Sequence, residues 1–246
     1  MASRSSPLDS PTPAQALELL RAQSLTTLVQ SELERRIIAG EIAAGAKLNE
    51  ADVAGALGVS RGPVREAFRA LSQAGLVSVE KNRGVFVRQV SLAEANEYYD
   101  VRAALEGLIG RLAAKRITAE EVEGLRDIVR RMHRVQKSRR AEDYFALNVE
   151  FHERLARAAR NNALLANYRS VVTQLDLYRR ATISRSDGNI PLSTQEHEAI
   201  IDAVAARNEA KADSLMVQHV LVSRERLHAS LGSQSPTLPS KPKRKT

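Results

Sequence analysis

The chain has 246 residues, 43% of them hydrophobic, enough to bury a sizeable core in one or two domains. It contains no cysteine, which excludes disulfides and thiolate chemistry, and no apolar run approaches the length of a membrane span. The formal net charge of +8 is compatible with a polyanionic partner. Only 4% of residues are aromatic, so helices packed by aliphatic side chains are expected over a β-sandwich.

The start of the chain is rich in Ser and Pro, and residues 1–23 are expected to form a disordered arm. This arm lacks the apolar core of a secretory signal, so a soluble, cytoplasmic protein is expected. Residues 233–246 read as a second disordered segment with a basic end. Between them lie two regions of different character, 24–89 and 90–232.

In the first region, "SLTTLVQSELERRIIAGEI" predicts a helix with Leu25, Leu28, Val29, Leu33 and Ile37 on its inner face, ended by Gly40. "NEADVAGALGVS" predicts a short second helix closed by Gly58. A third helix follows, with Ser60 as candidate N-cap and Pro63 tolerable in the first turn. Val64, Ala67, Phe68 and Leu71 form its buried stripe, whereas Arg61, Arg65 and Arg69, four residues apart, stack along the opposite side. The period then changes. Val77 and Val79, then Val85 and Val87, alternate around a turn containing Asn82 and Gly84, which predicts a β-hairpin. Three helices, a tight Gly-Val-Ser turn and a hairpin make a winged helix-turn-helix, whose third helix enters a major groove with its arginines toward DNA.

The second region reads as wholly helical, with candidate helices at roughly 91–115, 118–139, 141–160, 162–182, 193–207 and 208–231. Ser91 with Glu94, Thr118 with Glu121 and Ser193 with Glu196 have capping-box spacing, and "SRSDGNIPLS" marks the clearest loop. The fold class is therefore mainly α: a winged helix-turn-helix followed by an all-helical bundle able to enclose a cavity. Asn148 and His152 share one helix face at i and i+4. His197 and His219 stand on two later helices, and three helices offering imidazoles to one interior is how bundle metal sites are built. A set of hydrogen-bonded core residues is the alternative. His133 and His228 read as surface residues. Arg102 and Glu106 also share a helix face, the spacing of an ordinary intrahelical ion pair.

The stretch "LNEADVAGALGVSRGPVREAFRALSQAGLVSVEKNRGVFV", with the helical pattern after it, resembles GntR-family transcription regulators of the FadR type, which carry an FCD effector domain. The resemblance covers about residues 25–230. It implies a homodimer that binds a palindromic operator in double-stranded DNA and changes affinity when a small acid binds the helical domain. Carried over by position, Ser60, Arg61, Gly62, Pro63 and Arg65 contact DNA, and Gly84 is the wing-tip glycine. Arg69 lies farther from the helix start and reads as a phosphate-contacting or surface residue. Ala51 stands where some members have a DNA-contacting arginine, so their operator sequences do not transfer.

The resemblance further implies a divalent metal (zinc, nickel or manganese) held by Asn148, His152, His197 and His219, with Asn148 in place of the commoner Asp. Arg102 then faces the effector cavity, with Tyr178 and Arg179 as further lining residues. A guanidinium suits an acidic effector, because it clamps carboxylate or phosphonate bidentately. The chain looks most similar to members linked to phosphonate utilisation, so an organophosphonate such as 2-aminoethylphosphonate is the expected effector and a plain carboxylic acid the next. The expected function is a repressor released by that acid. A metal-dependent enzyme acting on a small acid is the alternative.

Overall fold

The computed structural model describes residues 13–138, 141–184 and 189–232, with side chains over 24–136, 143–176 and 190–229. It divides into two compact units, Met1–Gln89 and Val90–Thr246. The segments 1–12 and 233–246, read above as parts of disordered ends, lie outside the described residues.

The first unit holds α1 (Pro13–Ile38), β1 (Lys47–Leu48), α2 (Glu50–Leu57), α3 (Arg61–Gln73), β2 (Val77–Glu80) and β3 (Gly84–Val87). Helix α1 begins within the expected arm. Pro13 takes the first helical position, where its fixed φ fits, and "AQALELL" is built of strong helix formers. Val29, Leu33 and Ile37, spaced by four, are buried against Val64, Phe68 and Leu71 of α3 in one core. Leu25 and Leu28 do not join that face and are 40% and 63% exposed. Leu28 sits about 100° around the helix from Val29, and Leu25 lies a turn before the stripe begins.

Asn49 caps α2 by accepting from the Ala51 amide at 2.8 Å. Gly58 ends it in the left-handed conformation at φ 66°, which turns the chain into α3. Ser60 occupies the N-cap position of α3 but its side chain makes no capping hydrogen bond. The expected hairpin forms with Val77 opposite Val87 and Val79 opposite Val85, and its turn takes Asn82 through φ 62°. It gains a third strand that the sequence reading lacked. Lys47 and Leu48 pair antiparallel with Phe86 and Val85, giving the order β1-β3-β2. Two residues are too short for any alternation to show.

The second unit, among the described residues, is helical: α4 (Leu92–Arg116), α5 (Ala119–Ser138), α6 (Ala141–Ala158), α7 (Asn162–Ser184), α8 (Asn189–Ala205) and α9 (Glu209–Gly232). The Ser91–Glu94 capping box is formed in both directions, as is the Thr118–Glu121 box. The Ser193–Glu196 box is not, because α8 starts at Asn189 and Ser193 lies inside it. Pro191 is accommodated in the first turn, where no intrahelical N–H bond is required. Thr194 Oγ1 then donates back to the Ile190 carbonyl at 2.9 Å.

Helix α4 packs against α6, α7, α8 and α9 and so runs through the bundle. Its Gly110 permits a close approach to α9. A Cβ there would lie 2.7 Å from the Ala212 carbonyl oxygen and 2.8 Å from Met216 Cγ. No helix among the described residues is long and apolar enough to cross a membrane.

Candidate functional site

Two sets of residues stand out, one in each unit. In the first unit, the amphipathic pattern of α3 sends Val64, Ala67, Phe68 and Leu71 into the core and leaves Arg61, Arg65 and Arg69 exposed on its other side. Ser60 and Gly62 are exposed at the start of the helix, with Pro63 half-buried beside them. Arg65 is held by Glu50 of α2, and Arg69 pairs with Glu66 at 2.7 Å on its own helix. Gly84 opens β3 at φ 114°, a conformation open to glycine and strained for other residues, with Lys47 beside it. The guanidinium of Arg83 lies 5.5 Å from the centre of the Phe86 ring, so the hairpin carries a basic flank. An exposed basic helix beside a basic hairpin can contact phosphates along a duplex and donate to base edges in a groove.

In the second unit, His152 of α6, His197 of α8 and His219 of α9 converge in the interior, 1%, 0% and 4% exposed. Their ligand atoms all lie within 4.8 Å of one another. Nε2 of His152 is 3.2 Å from Nε2 of His219 and 3.4 Å from Nε2 of His197. Two nitrogens on a common ion at about 2.1 Å must stand roughly 3–3.5 Å apart, so these separations suit a shared metal.

The outer nitrogens of two rings meet carboxylates. Nδ1 of His219 is 2.7 Å from Oε2 of Glu196, whose carboxylate also accepts from both terminal nitrogens of Arg226. Nδ1 of His152 is 2.7 Å from Oε2 of Glu106, off the line of a good hydrogen bond. Oε1 of Glu106 in turn accepts from Nε of Arg102 at 2.6 Å. Arg102 and Glu106 are fully buried, so the spacing read as an ordinary ion pair is one here, but an interior one reaching the histidines.

These partners bear on the proton positions. A carboxylate only accepts, so the ring of His219 presents N–H at Nδ1 and a lone pair at Nε2, and the Glu106 carboxylate beside Nδ1 of His152 favours the same arrangement there. Bare lone pairs 3.2 Å apart repel unless a cation lies between them, and this donor set fits a divalent ion. Burial pushes His152 down to about 4, against the opposing pull of Glu106, so the ring is neutral and able to coordinate. Burial alone would raise Glu106, but the Arg102 guanidinium and then His152 outweigh it and hold the carboxyl well below its usual range. Glu196 is likewise held low, with burial opposed by its bonds to His219 and Arg226.

Of the other expected residues, Asn148 is buried on α6 one turn before His152. Tyr178 and Arg179 fall on the α7 backbone, and their side chains lie outside the described residues. His133 pairs with Glu198 at 2.8 Å and His228 with Asn96 at 2.7 Å, both exposed, as expected of surface residues. Sequence reasoning missed Glu196 and Arg226 as partners of the cluster and saw Glu106 only as the partner of Arg102. The positions of Glu196 and Glu106 one turn or less from helical residues already singled out were the only signal.

Comparison with known proteins follows the same division. The model of the bacterial regulatory proteins of the gntR family matches residues 25–87, and that of the FCD domain matches residues 97–221. The chain is 31% identical over 205 residues to the "Probable D-xylose utilization operon transcriptional repressor" of Paenarthrobacter nicotinovorans, covering 82% of this chain and 88% of the relative. It is 27% identical over 203 residues to the HTH-type transcriptional repressor RspR of Escherichia coli strain K12, covering 82% and 89%. Among solved structures, E. coli McbR/YncC superposes with a TM-score of 0.75 over 84% of this chain and 98% of the other, at 18% identity, which establishes the fold alone. These sequence relatives are transcriptional regulators and not enzymes, which removes the metal-dependent enzyme as a reading.

Proposed function

Since the chain belongs to the GntR family of bacterial regulatory proteins and carries an FCD domain, making it a DNA-binding transcription regulator, we propose that it is a homodimeric repressor released by a small organic acid bound beside a metal. Residues 24–89 form the DNA-binding domain and 90–232 the effector-binding and dimerisation domain. Arg61 and Arg65 read base edges or the adjacent backbone of a palindromic operator. Ser60, Gly62, Pro63, Arg69 and Gly84 approach phosphate and sugar. The two relatives above are both named as repressors, which favours that polarity.

The observation that carries the effector reading is the set of three buried imidazoles with Nε2 atoms turned inward. His152, His197 and His219 would hold a divalent ion, with the Asn148 amide oxygen as a fourth ligand. The ion would supply a positive charge against which an acid can bind. The two carboxylates beside the rings do not cancel it. Glu106 is already paired with Arg102, and Glu196 with Arg226, so each carboxylate is balanced by its own arginine. A divalent charge among neutral ligands favours an anion to complete the site.

Donors are available for it. Among the described residues, Nη1 of Arg102 and Oη of Tyr99 are buried without a hydrogen-bond partner. Tyr178 and Arg179 are proposed as further effector contacts. The site supports a small organic acid as the class. An organophosphonate falls within that class, but neither relative above is named for one.

The test is a titration of divalent metals into the metal-depleted chain, alone and with a panel of carboxylic and phosphonic acids. Each bound partner should tighten the other by the same factor, since coupling between sites is reciprocal. A chain that holds no divalent metal under either condition overturns the reading, and the histidines are then a polar core cluster.

A further inference from the structure

The guanidinium of Arg65 is engaged before any nucleic acid arrives. Its Nε donates to Oε1 of Glu50 at 3.0 Å and its Nη2 to Oε2 at 2.8 Å, a two-point contact along one side edge of the plane. Glu50 is the first residue of α2, and Arg65 stands in the second turn of α3, so the contact bridges the helix-turn-helix. The two side chains are 56% and 32% exposed. An exposed ion pair contributes little to folding, and a carboxylate on a DNA-facing surface repels phosphate. Glu50 therefore weakens DNA binding unless it improves what Arg65 does.

The geometry shows how it could. A guanidinium carries five N–H donors in a rigid planar fork. The Glu50 contact takes the Nε–H and one N–H of Nη2. The terminal edge keeps one N–H on each of Nη1 and Nη2, the pair that matches O6 and N7 of guanine. Held by its side edge, the plane has a fixed direction while its reading edge stays available. Arg69 has no equivalent hold from α2, since its partner Glu66 sits on the same helix.

We propose that Glu50 is a positioning residue for sequence readout, clamping Arg65 so that its terminal edge meets one guanine in each half-site. This inference rests on α3 being the DNA-reading helix.

The test uses the full chain. A duplex is selected from a randomised library by the wild-type protein, and a scrambled duplex of equal length and composition serves as control. Both are titrated at fixed salt with wild type, Glu50→Gln, Glu50→Ala, Arg65→Ala and the Glu50→Gln/Arg65→Ala double variant. Glu50→Gln and Glu50→Ala should lower the ratio of selected to scrambled affinity by roughly two- to tenfold per half-site, from releasing one rotamer-rich side chain. Affinity for the scrambled duplex should hold or rise, because a negative charge has left the surface. In the Arg65→Ala background, Glu50→Gln should lower the ratio no further. An unchanged ratio in the single Glu50 variants, an equal loss on both duplexes, or a Glu50 effect that persists without Arg65 overturns the clamp. If Arg65→Ala itself leaves selected-duplex affinity unchanged, the assignment of Arg65 as a base reader fails, and the clamp fails with it.

Discussion

Replacing Glu196 by Gln probes the proposed metal centre without touching any of its proposed ligands. Glu196 accepts from Nδ1 of His219 at 2.7 Å and is held from behind by Arg226. A glutamine keeps the volume but cannot satisfy both neighbours as a carboxylate does. If its amide N–H₂ faces His219, the ring must move its proton to Nε2 and lose the inward lone pair. If its oxygen faces His219, the N–H₂ meets the donors of Arg226. Removing such an outer partner typically lowers metal affinity 10–100-fold. Glu196 is 28% exposed at its side chain, so solvent compensates part of the loss. The expected effect lies near the low end, about tenfold or 1.4 kcal/mol. Glu106→Gln should cost more, but it leaves the fully buried Arg102 unpaired and so confounds metal loss with unfolding. The assay is competition for zinc against a calibrated chelator, with circular dichroism to confirm the fold. Glu198→Gln is the control, being on the same helix but paired with the exposed His133. Equal zinc affinity in Glu196→Gln and wild type would refute the claim that Glu196 sets the His219 tautomer.

Asn148→Asp should tighten metal binding in the absence of acid and shrink the coupling between metal and acid, read from paired calorimetric titrations. Gly110→Ala should destabilise the helical unit by about 1–3 kcal/mol despite the better helix propensity of Ala, because the new Cβ meets the α9 backbone. Urea denaturation measures it, and an unchanged midpoint means that α4 and α9 can separate without cost. Residues 90–246 expressed alone should keep their helical dichroism and bind metal without binding DNA; a fragment that needs residues 1–89 to bind metal contradicts this division of labour.

How much was legible in the sequence depended on the range of the signal. The α3 stripe, the Gly58 turn, the hairpin and two capping boxes are set by residues within a few positions of each other, and each appears as read. Ser193 and Glu196 had the same local spacing, but the helix had already begun at Asn189, and Glu196 instead turns to His219 and Arg226. Leu25 and Leu28 were assigned inward because periodicity marks an apolar residue without showing where its core ends. The three imidazoles could be nominated together, since three helices each offered one. Which oxygen would stand behind each ring could not, because Glu196 reaches His219 across 23 positions and Glu106 reaches His152 from a different helix.

The two units solve one problem in the same way. A planar nitrogen group that must act through one edge is held by a carboxylate at another. Glu50 grips Arg65 through Nε and Nη2 and leaves one N–H on each terminal nitrogen outside that contact. Glu196 grips His219 through Nδ1 and leaves Nε2 inward, and Glu106 stands at the same position on His152. In each case the carboxylate would contribute by removing orientational freedom before the proposed partner binds, an entropic saving that would appear as affinity or selectivity and hardly as fold stability. The difference between the units is solvent. Around Arg65 water remains, so the hold is loose and the effect of its loss should be small per half-site. Around His152 the carboxylate and its arginine are fully buried, where an unpaired charge is costly, so the same device should be both stronger and harder to remove without harming the fold.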